Sequence, residues 1–468
     1  YGGIAPGAHL VSVRVLNSEG VGTVSNVIAG IDWVIKNRKT YNIRVMNLSL
    51  GTGVFQSYKT DPLCLAAARA ADAGIVVVVA AGNWGKDSQG RAIYGGILSP
   101  GNSPRVITVG ATNTQQTARR SDDTVTTYSS RGPTLVDGLV KPDLVAPGNR
   151  IGAAETASTS PTASNSYSST GGGGLLGTLV SGDTSSTTPK ATGTYEILSG
   201  TSFSAPAVSG TVALMLEANP SLTPSIVKAV LMRTAQRLPV YEQMVRSNQM
   251  STFERVITEG AGTLNTSAAL TVARAIRSDA SRAVVGNNLI TAKNTTYSSL
   301  GVTSPIAGEN IPLNNGVLWV DGVAFTERLT LTGGYKLAGG GTLASGFVIA
   351  DGYMNPDASY VFSNGIALGS GIALGSGIAL GSGIALGSGI ALGSGIALGS
   401  EFACADGTLA SGAQNGWSFD NEAMWASNLV DPSSTGANEE EVMIQGEDAI
   451  PVSVRRLFAT SPFYPRLR

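Results

Sequence analysis

The run Ile75-Val-Val-Val-Val-Ala-Ala-Gly-Asn83 decides the fold. Its β-branched residues are continuous rather than alternating, so a strand built from them buries both faces, as a parallel sheet covered by helices requires. Just upstream, Asp61 and Pro62 supply a helix N-cap and first position, and Gly74 closes that helix. Working outward toward the N-terminus, Val45 to Leu50 reads as a second strand. Before it, Val24, Val27, Ile28, Ile31 and Ile35 recur at helical spacing, with Thr23 or Ser25 as cap. Leu10 to Leu16 alternates Val11, Val13 and Val15 with Ser12 and Arg14, which predicts a short strand. Toward the C-terminus, Val106 to Val109 predicts another strand. Thr201 to Glu217 predicts a helix with Ala205, Val208, Val212, Met215 and Leu216 on one face, and Thr223-Pro224 opens a further helix. Strands alternating with helices imply an α/β fold, a mainly parallel sheet flanked by helices on both faces. Ligands of such sheets bind outside the carboxyl ends of the strands. Chemistry is therefore expected just after Leu50 and just after Val79.

Composition narrows the function classes. Of 468 residues, 42% are hydrophobic and only 13% charged, so the chain can bury a large core under a Ser, Thr, Asn and Gly surface. A formal net charge of -1 implies neither a nucleic acid nor an anionic membrane as partner. No run of eighteen apolar residues exists, so no membrane span is expected. Cys64 and Cys404 are too far apart to suggest a disulfide framework or a metal cluster, and Cys64 reads as a small buried hydrophobe. The low-charge surface fits an extracellular or cell-surface protein. The chain opens at Tyr1 with no signal-peptide pattern behind it.

The α/β pattern occupies residues 1–278, interrupted at 152–197 by a Ser/Thr/Gly-rich stretch expected to be a surface insertion. Helical periodicity then fades, and 279–364 is expected to be β or irregular. Six copies of Gly-Ile-Ala-Leu-Gly-Ser fill 365–400. Each copy fits the hexapeptide of a triangular parallel β-helix, but six make only two such coils without a cap, and a spacer is the favoured reading. Residues 401–468 form a tail.

The chemistry-bearing motif is Ser199-Gly-Thr-Ser-Phe-Ser-Ala-Pro206, which leads into a helix. A serine at a helix start gains from the local N–H groups. The position two after it is Ser204, not the Gly of an α/β-hydrolase elbow. On Gly200, Thr201, Ser202, Pro206 and Gly210 in that order, the chain resembles the subtilase family of serine peptidases. The Ala80-Ala81-Gly82-Asn83 string after a buried strand is similar to the family's oxyanion segment. Asn47-Leu-Ser-Leu-Gly51 resembles its substrate-pairing edge. Further blocks resemble the family in order: Tyr1 to Ala8, Ser99 to Ala111, Tyr128 to Pro133, Lys141 to Gly148 and Glu259 to Asn265. The likeness ends near residue 270. Taken singly, the three site motifs also fit a plain helix cap, a Gly-Asn turn and a strand end covered by a loop.

The resemblance implies Ser202 as nucleophile and Asn83, with the Ser202 amide, as oxyanion hole. It implies Ser49, Leu50, Gly51, Ala80, Ala81 and Gly82 as substrate-binding residues, and proteins or peptides as substrates. It also implies a cis peptide before Pro100. Family members need an Asp and a His that precede the Gly-Ile-Ala-Pro-Gly block, and neither stands there in this chain. His9, the single histidine, lies in a position the family does not use for catalysis. The chain as given is thus expected to be inactive. A fragment of an active peptidase is favoured over a peptide-binding pseudopeptidase or a surface protein with a subtilase-like domain. A sedolisin-type acid peptidase is disfavoured, because it would carry Asp where Asn83 stands. Calcium is common in the family, but its main site involves the region before this chain, so no metal or cofactor is expected.

Overall fold

The computed structural model describes residues 3–154 and 195–312, apart from short interruptions, and the backbone of strands between 317 and 401. Most of the predicted insertion (155–194) and nearly all of the predicted tail (402–468) lie outside the described residues.

The central sheet contains β1 (Val45–Leu48), β2 (Val76–Ala80), β3 (Ile107–Asn113), β4 (Thr124–Val125) and β5 (Leu144–Pro147). β1 lies parallel to β2, β2 to β3 and β3 to β5, and β4 alone pairs antiparallel, against the end of β3. The helices are α1 (Val24–Asn37), α2 (Pro62–Asp72), α3 (Thr201–Ala218), α4 (Pro224–Thr234), α5 (Pro239–Arg246), α6 (Thr252–Glu259) and α7 (Thr266–Ala275).

All of β2 is buried, and its successive side chains enter two separate cores. Val76, Val78 and Ala80 pack with residues of α3, α4, α6 and α7; Val77 and Val79, with Ile75 just before them, pack with α1 and α2. The uninterrupted valine run thus has its physical cause in helices on both faces. The helix ends are fixed as the sequence suggests. The Thr23 side chain accepts from the Asn26 amide, Asp61 from Leu63 and Cys64, and Thr223 from Ile226, with Pro62 and Pro224 opening their helices.

One expected strand does not form. Leu10 to Leu16 joins no ladder, and Leu10 is almost fully exposed. Val13 and Val15 are nevertheless directed onto α1, where a Cβ at Gly30 would come within 2.5 Å of Val15 Cγ1. Alternation marks which side chains face a core, but a strand also needs a neighbouring backbone to pair with. The Ser99–Pro100 bond is cis, as are the bonds before Pro133 and Pro142.

The described ends of the insertion pair as an antiparallel hairpin of β6 (Ile151–Ala154) and β7 (Tyr195–Leu198). After α7, β8 (Thr303–Ile306) and β9 (Glu309–Pro312) form another hairpin. In the repeat region the strands Ser359–Leu380, Gly383–Leu392 and Gly395–Glu401 pair in parallel, Gly371 with Gly383 and Gly383 with Gly395. That offset is two hexapeptide copies per turn, in place of the three of a triangular coil.

Candidate active site

Three chain segments meet at the carboxyl edge of the sheet: the exits of β1 and β2, and the start of α3. α3 begins at Thr201 with Gly200 as its cap, at φ 140°, a backbone geometry that favours glycine. Ser202 therefore lies in the first helical turn, where amides have no intrahelical acceptor and the local field favours negative charge.

Asn83 lies three residues beyond the end of β2. Its Oδ1 accepts from the Thr201 amide at 3.0 Å and from the Thr201 hydroxyl at 3.1 Å. The same hydroxyl accepts from the Gly82 amide at 3.2 Å. Because the Thr201 amide can only donate, the carboxamide meets it with its oxygen and not its nitrogen. A Cβ added at Gly200 would lie 3.4 Å from Asn83 Nδ2. The result is a half-buried carboxamide of fixed orientation at the start of α3.

From β1, Ser49 Oγ donates to the Ser202 carbonyl at 2.8 Å and accepts from Asn47 Nδ2 at 2.9 Å. Asn47 Oδ1 in turn accepts from Ser209 Oγ. The contact has a local cause. Pro206 lies four residues after Ser202 inside α3 and has no N–H, so the Ser202 carbonyl loses its helical donor and Ser49 replaces it. Ser204, two residues on, donates to the Ala146 carbonyl and fixes the turn to β5.

The structure thus brings Ser202, Asn83 and Ser49 together. Leu50 and Gly51 continue from Ser49, half-buried. Ala80, Ala81 and Gly82 are buried, and the Ala81 backbone is bonded on both sides, to the Val109 carbonyl and the Leu98 amide. His9 is exposed on the segment before α1. Thr201 as the orienting group for Asn83, and Leu98 beneath Gly82, are not singled out by sequence reasoning. The spacing of Pro206 from Ser202 is the one signal from which the Ser49 contact could be read. Among the described residues, no group of three or more His, Cys, Asp or Glu side chains converges as a metal site would require.

A family model described as the subtilase family matches residues 1–262. The serine protease AprX of Bacillus subtilis (strain 168) is 41% identical over 236 residues, 49% of this chain and 47% of that protein. An extracellular serine proteinase of Thermus sp. (strain Rt41A) is 35% identical over 230 residues, 49% of this chain and 41% of that one. Subtilisin-like protease 1 of Arthroderma gypseum is 37% identical over 152 residues, 32% and 26% of the respective chains. The chain therefore spans about half the length, or less, of these curated relatives. Among solved structures, a protease from Pseudoalteromonas arctica PAMC 21717 aligns with a TM-score of 0.38 at 24% identity, covering 58% of this chain and 65% of that one.

Proposed function

Because this chain belongs to the subtilase family, whose model covers residues 1–262, we propose that it acts in serine-type peptide-bond hydrolysis through an acyl-enzyme on Ser202. The observation that carries this reading is the Asn83 carboxamide, whose oxygen is held by the amide and hydroxyl of Thr201, the residue before Ser202.

In this reading the Ser202 hydroxyl attacks the scissile carbonyl. The negative charge that develops on the carbonyl oxygen is met by Asn83 Nδ2 and the Ser202 amide, donors already oriented before the reaction. Collapse of the tetrahedral intermediate releases the amine and leaves an ester on Ser202, which water then hydrolyses. Both steps need a base: in the first it takes the serine proton and gives it to the departing amine, and in the second it takes a proton from the attacking water and returns it to the serine oxygen. We place that base, and the carboxylate that orients it, outside these 468 residues. His9 is not assigned the role, and the chain by itself is inactive or nearly so. Ser49, Leu50 and Gly51, with Ala80 to Gly82, border the substrate. No cofactor is assigned. The extracellular relative from Thermus supports an extracellular location for this protein.

The test is covalent labelling by a fluorophosphonate probe of a protein that includes the residues preceding Tyr1. Label on Ser202, lost in Ser202→Ala, is the expected result. A folded protein that binds peptides but takes no label would be a pseudopeptidase instead. Hydrolysis by the 468-residue chain alone at an ordinary peptidase rate would overturn the placement of the base.

A further inference from the structure

Residues 365–400 take no part in the chemistry proposed above, and their backbone forms a ladder. Gly371 to Leu380 pairs in parallel with Gly383 to Leu392, and Gly383 to Leu386 pairs in parallel with Gly395 to Leu398. Each level lies twelve residues from the next, so every residue stands beside its own counterpart. Ile372, Ile384 and Ile396 follow one another across the ladder, as do Ala373, Ala385 and Ala397.

The two ends of this ladder differ. Where the repeat begins, Gly365 to Ser370 is already paired, antiparallel, with Ser345 to Ala350. At the far end, the strand Gly395–Glu401 pairs only with Gly383–Leu392 among the described residues. Its outer edge therefore offers unpaired N–H and C=O groups. Edges are normally blunted by charged residues or proline, and residues 365–400 contain neither. The register shift between Leu386 and Ser388 lies on the inner side of the strand, past Leu398. What such an edge accepts is visible one level back, where the edge of Gly383–Leu392 is covered by a further Gly-Ile-Ala-Leu run.

We propose that the Gly395–Glu401 edge pairs with the same edge of a second copy of this chain, forming a closed two-fold dimer. A two-fold contact uses the open edge of both copies at once, whereas head-to-tail stacking would need the end that Ser345 to Ala350 holds. Strands related by a two-fold axis across their edge run antiparallel. Centred on Ala397, that pairing sets Ile396 of each copy opposite Leu398 of the other, and Gly395 opposite Gly399. Ile396 and Leu398 share a face by alternation, so the pairing matches aliphatic residues across the axis. A seven-residue edge is a small interface, and the dimer is expected to dissociate on dilution.

The test is sedimentation of the full chain over a concentration series, with reductant present so that neither Cys64 nor Cys404 can link copies. A monomer–dimer equilibrium is expected. Ala397→Lys and Ala397→Glu each set like charges opposite one another at the axis and should weaken the dimer at least about tenfold. A 1:1 mixture of the two variants should restore it, because Lys then faces Glu. The circular-dichroism spectrum and Tm establish that each variant is folded. Hydrogen exchange on the unaltered chain needs no variant: protection of the amides of 395–401 should rise with concentration while that of β2 and β3 does not. A chain monomeric at every concentration, open-ended assemblies in place of a dimer, a dimer unchanged in both variants, or a mixture no stronger than either variant alone would each overturn the proposal. Protection of 395–401 that is independent of concentration would do the same, since the edge would then be covered within the chain.

Discussion

Asn83 is useful only in one orientation, and Thr201 sets it from two atoms, its amide and its hydroxyl. In an active form of the protein, Asn83→Ala should lower kcat by about 10²–10³-fold with KM little changed, the usual result of losing one oxyanion donor. Thr201→Val leaves the amide bond and removes the hydroxyl one, so its effect on kcat should be smaller, about tenfold. It also leaves the buried Gly82 amide without its acceptor, at about 1–3 kcal/mol of stability. Steady-state kinetics and thermal melts on the two variants check both statements. The Ala-Ala-Gly-Asn string drew attention to Asn83, but the orientation of its side chain was not legible, because that depends on a threonine on another element. A second residue was legible in neither role nor position. Asp123 is fully buried, and neither carboxyl oxygen has a hydrogen-bond partner among the described residues. Burial, only partly opposed by the nearby Arg120, pushes its carboxyl up to about 7. A folded-state value above the unfolded one means that the folded protein keeps this proton as pH rises from about 4 to 7 while the unfolded chain releases it, so stability declines across that window. Asp123→Asn removes the titration and breaks no hydrogen bond. The variant should match the parent near pH 4 and exceed it at pH 8, by up to about 4 kcal/mol. Denaturant unfolding at the two pH values is the measurement, and equal stability at pH 8 would contradict it.

Between elements, backbone pairing and buried charge hold β3 and β5 to α4. The Asp143 carboxylate contacts Lys141 Nζ at 2.7 Å and Lys228 Nζ at 3.0 Å, and it accepts from the Thr108 amide at 2.7 Å. Both ammonium groups also donate to the Val106 carbonyl. Burial alone would raise Asp143, but the two lysines outweigh it and hold its carboxyl below the usual range, while burial pulls Lys141 down to about 7. Removing the one anion leaves two buried cations facing each other. Asp143→Asn should therefore destabilise the fold by about 3–5 kcal/mol at pH 7, visible as a large drop in the urea midpoint. The difference from the parent should shrink as pH falls below the ordinary Asp range, where the parent loses the same charge. In the sequence, Lys141-Pro-Asp143 could be recognised only as an architectural block. Lys228, the third member, lies in a helix read for its apolar face. The apolar positions of α3 and α4 were legible because they follow a helical period, and those of β2 because the run is unbroken. Buried charge has no period, and its partners are assembled by topology. The strand expected at Leu10 to Leu16 shows the converse: its alternation is real, Val13 and Val15 do pack inward, but no ladder partner is present among the described residues.

Across the molecule, polar contacts tie the α/β body to the segment after α7, and the β8–β9 hairpin makes the clearest of them. Glu309 accepts from the Arg120 amide at 2.8 Å and from Ser121 Oγ at 2.7 Å, and Ser304, on the opposite strand, is buried near Asn265. Composition marked the change of character after residue 280 but held no sign of this attachment, since a lone glutamate in a Gly/Asn-rich stretch looks like any solvated turn. The Ser121 hydroxyl and the Arg120 amide hold the Glu309 carboxyl below its ordinary value. A depressed carboxylate contributes docking that is complete above the unfolded value and is lost as pH falls through the folded one. Hydrogen-exchange protection of the β8–β9 amides should therefore decrease in the acid range, below about pH 4, while protection in β2 and β3 persists. Glu309→Ala should reproduce the loss at pH 7. Glu309→Gln retains an acceptor without a charge, so its hairpin should be partly protected at neutral pH and insensitive to acid. If the parent and Glu309→Ala were protected equally at pH 7, the hairpin would be held by its apolar contact at Ile311 rather than by Glu309, and the junction would be independent of charge.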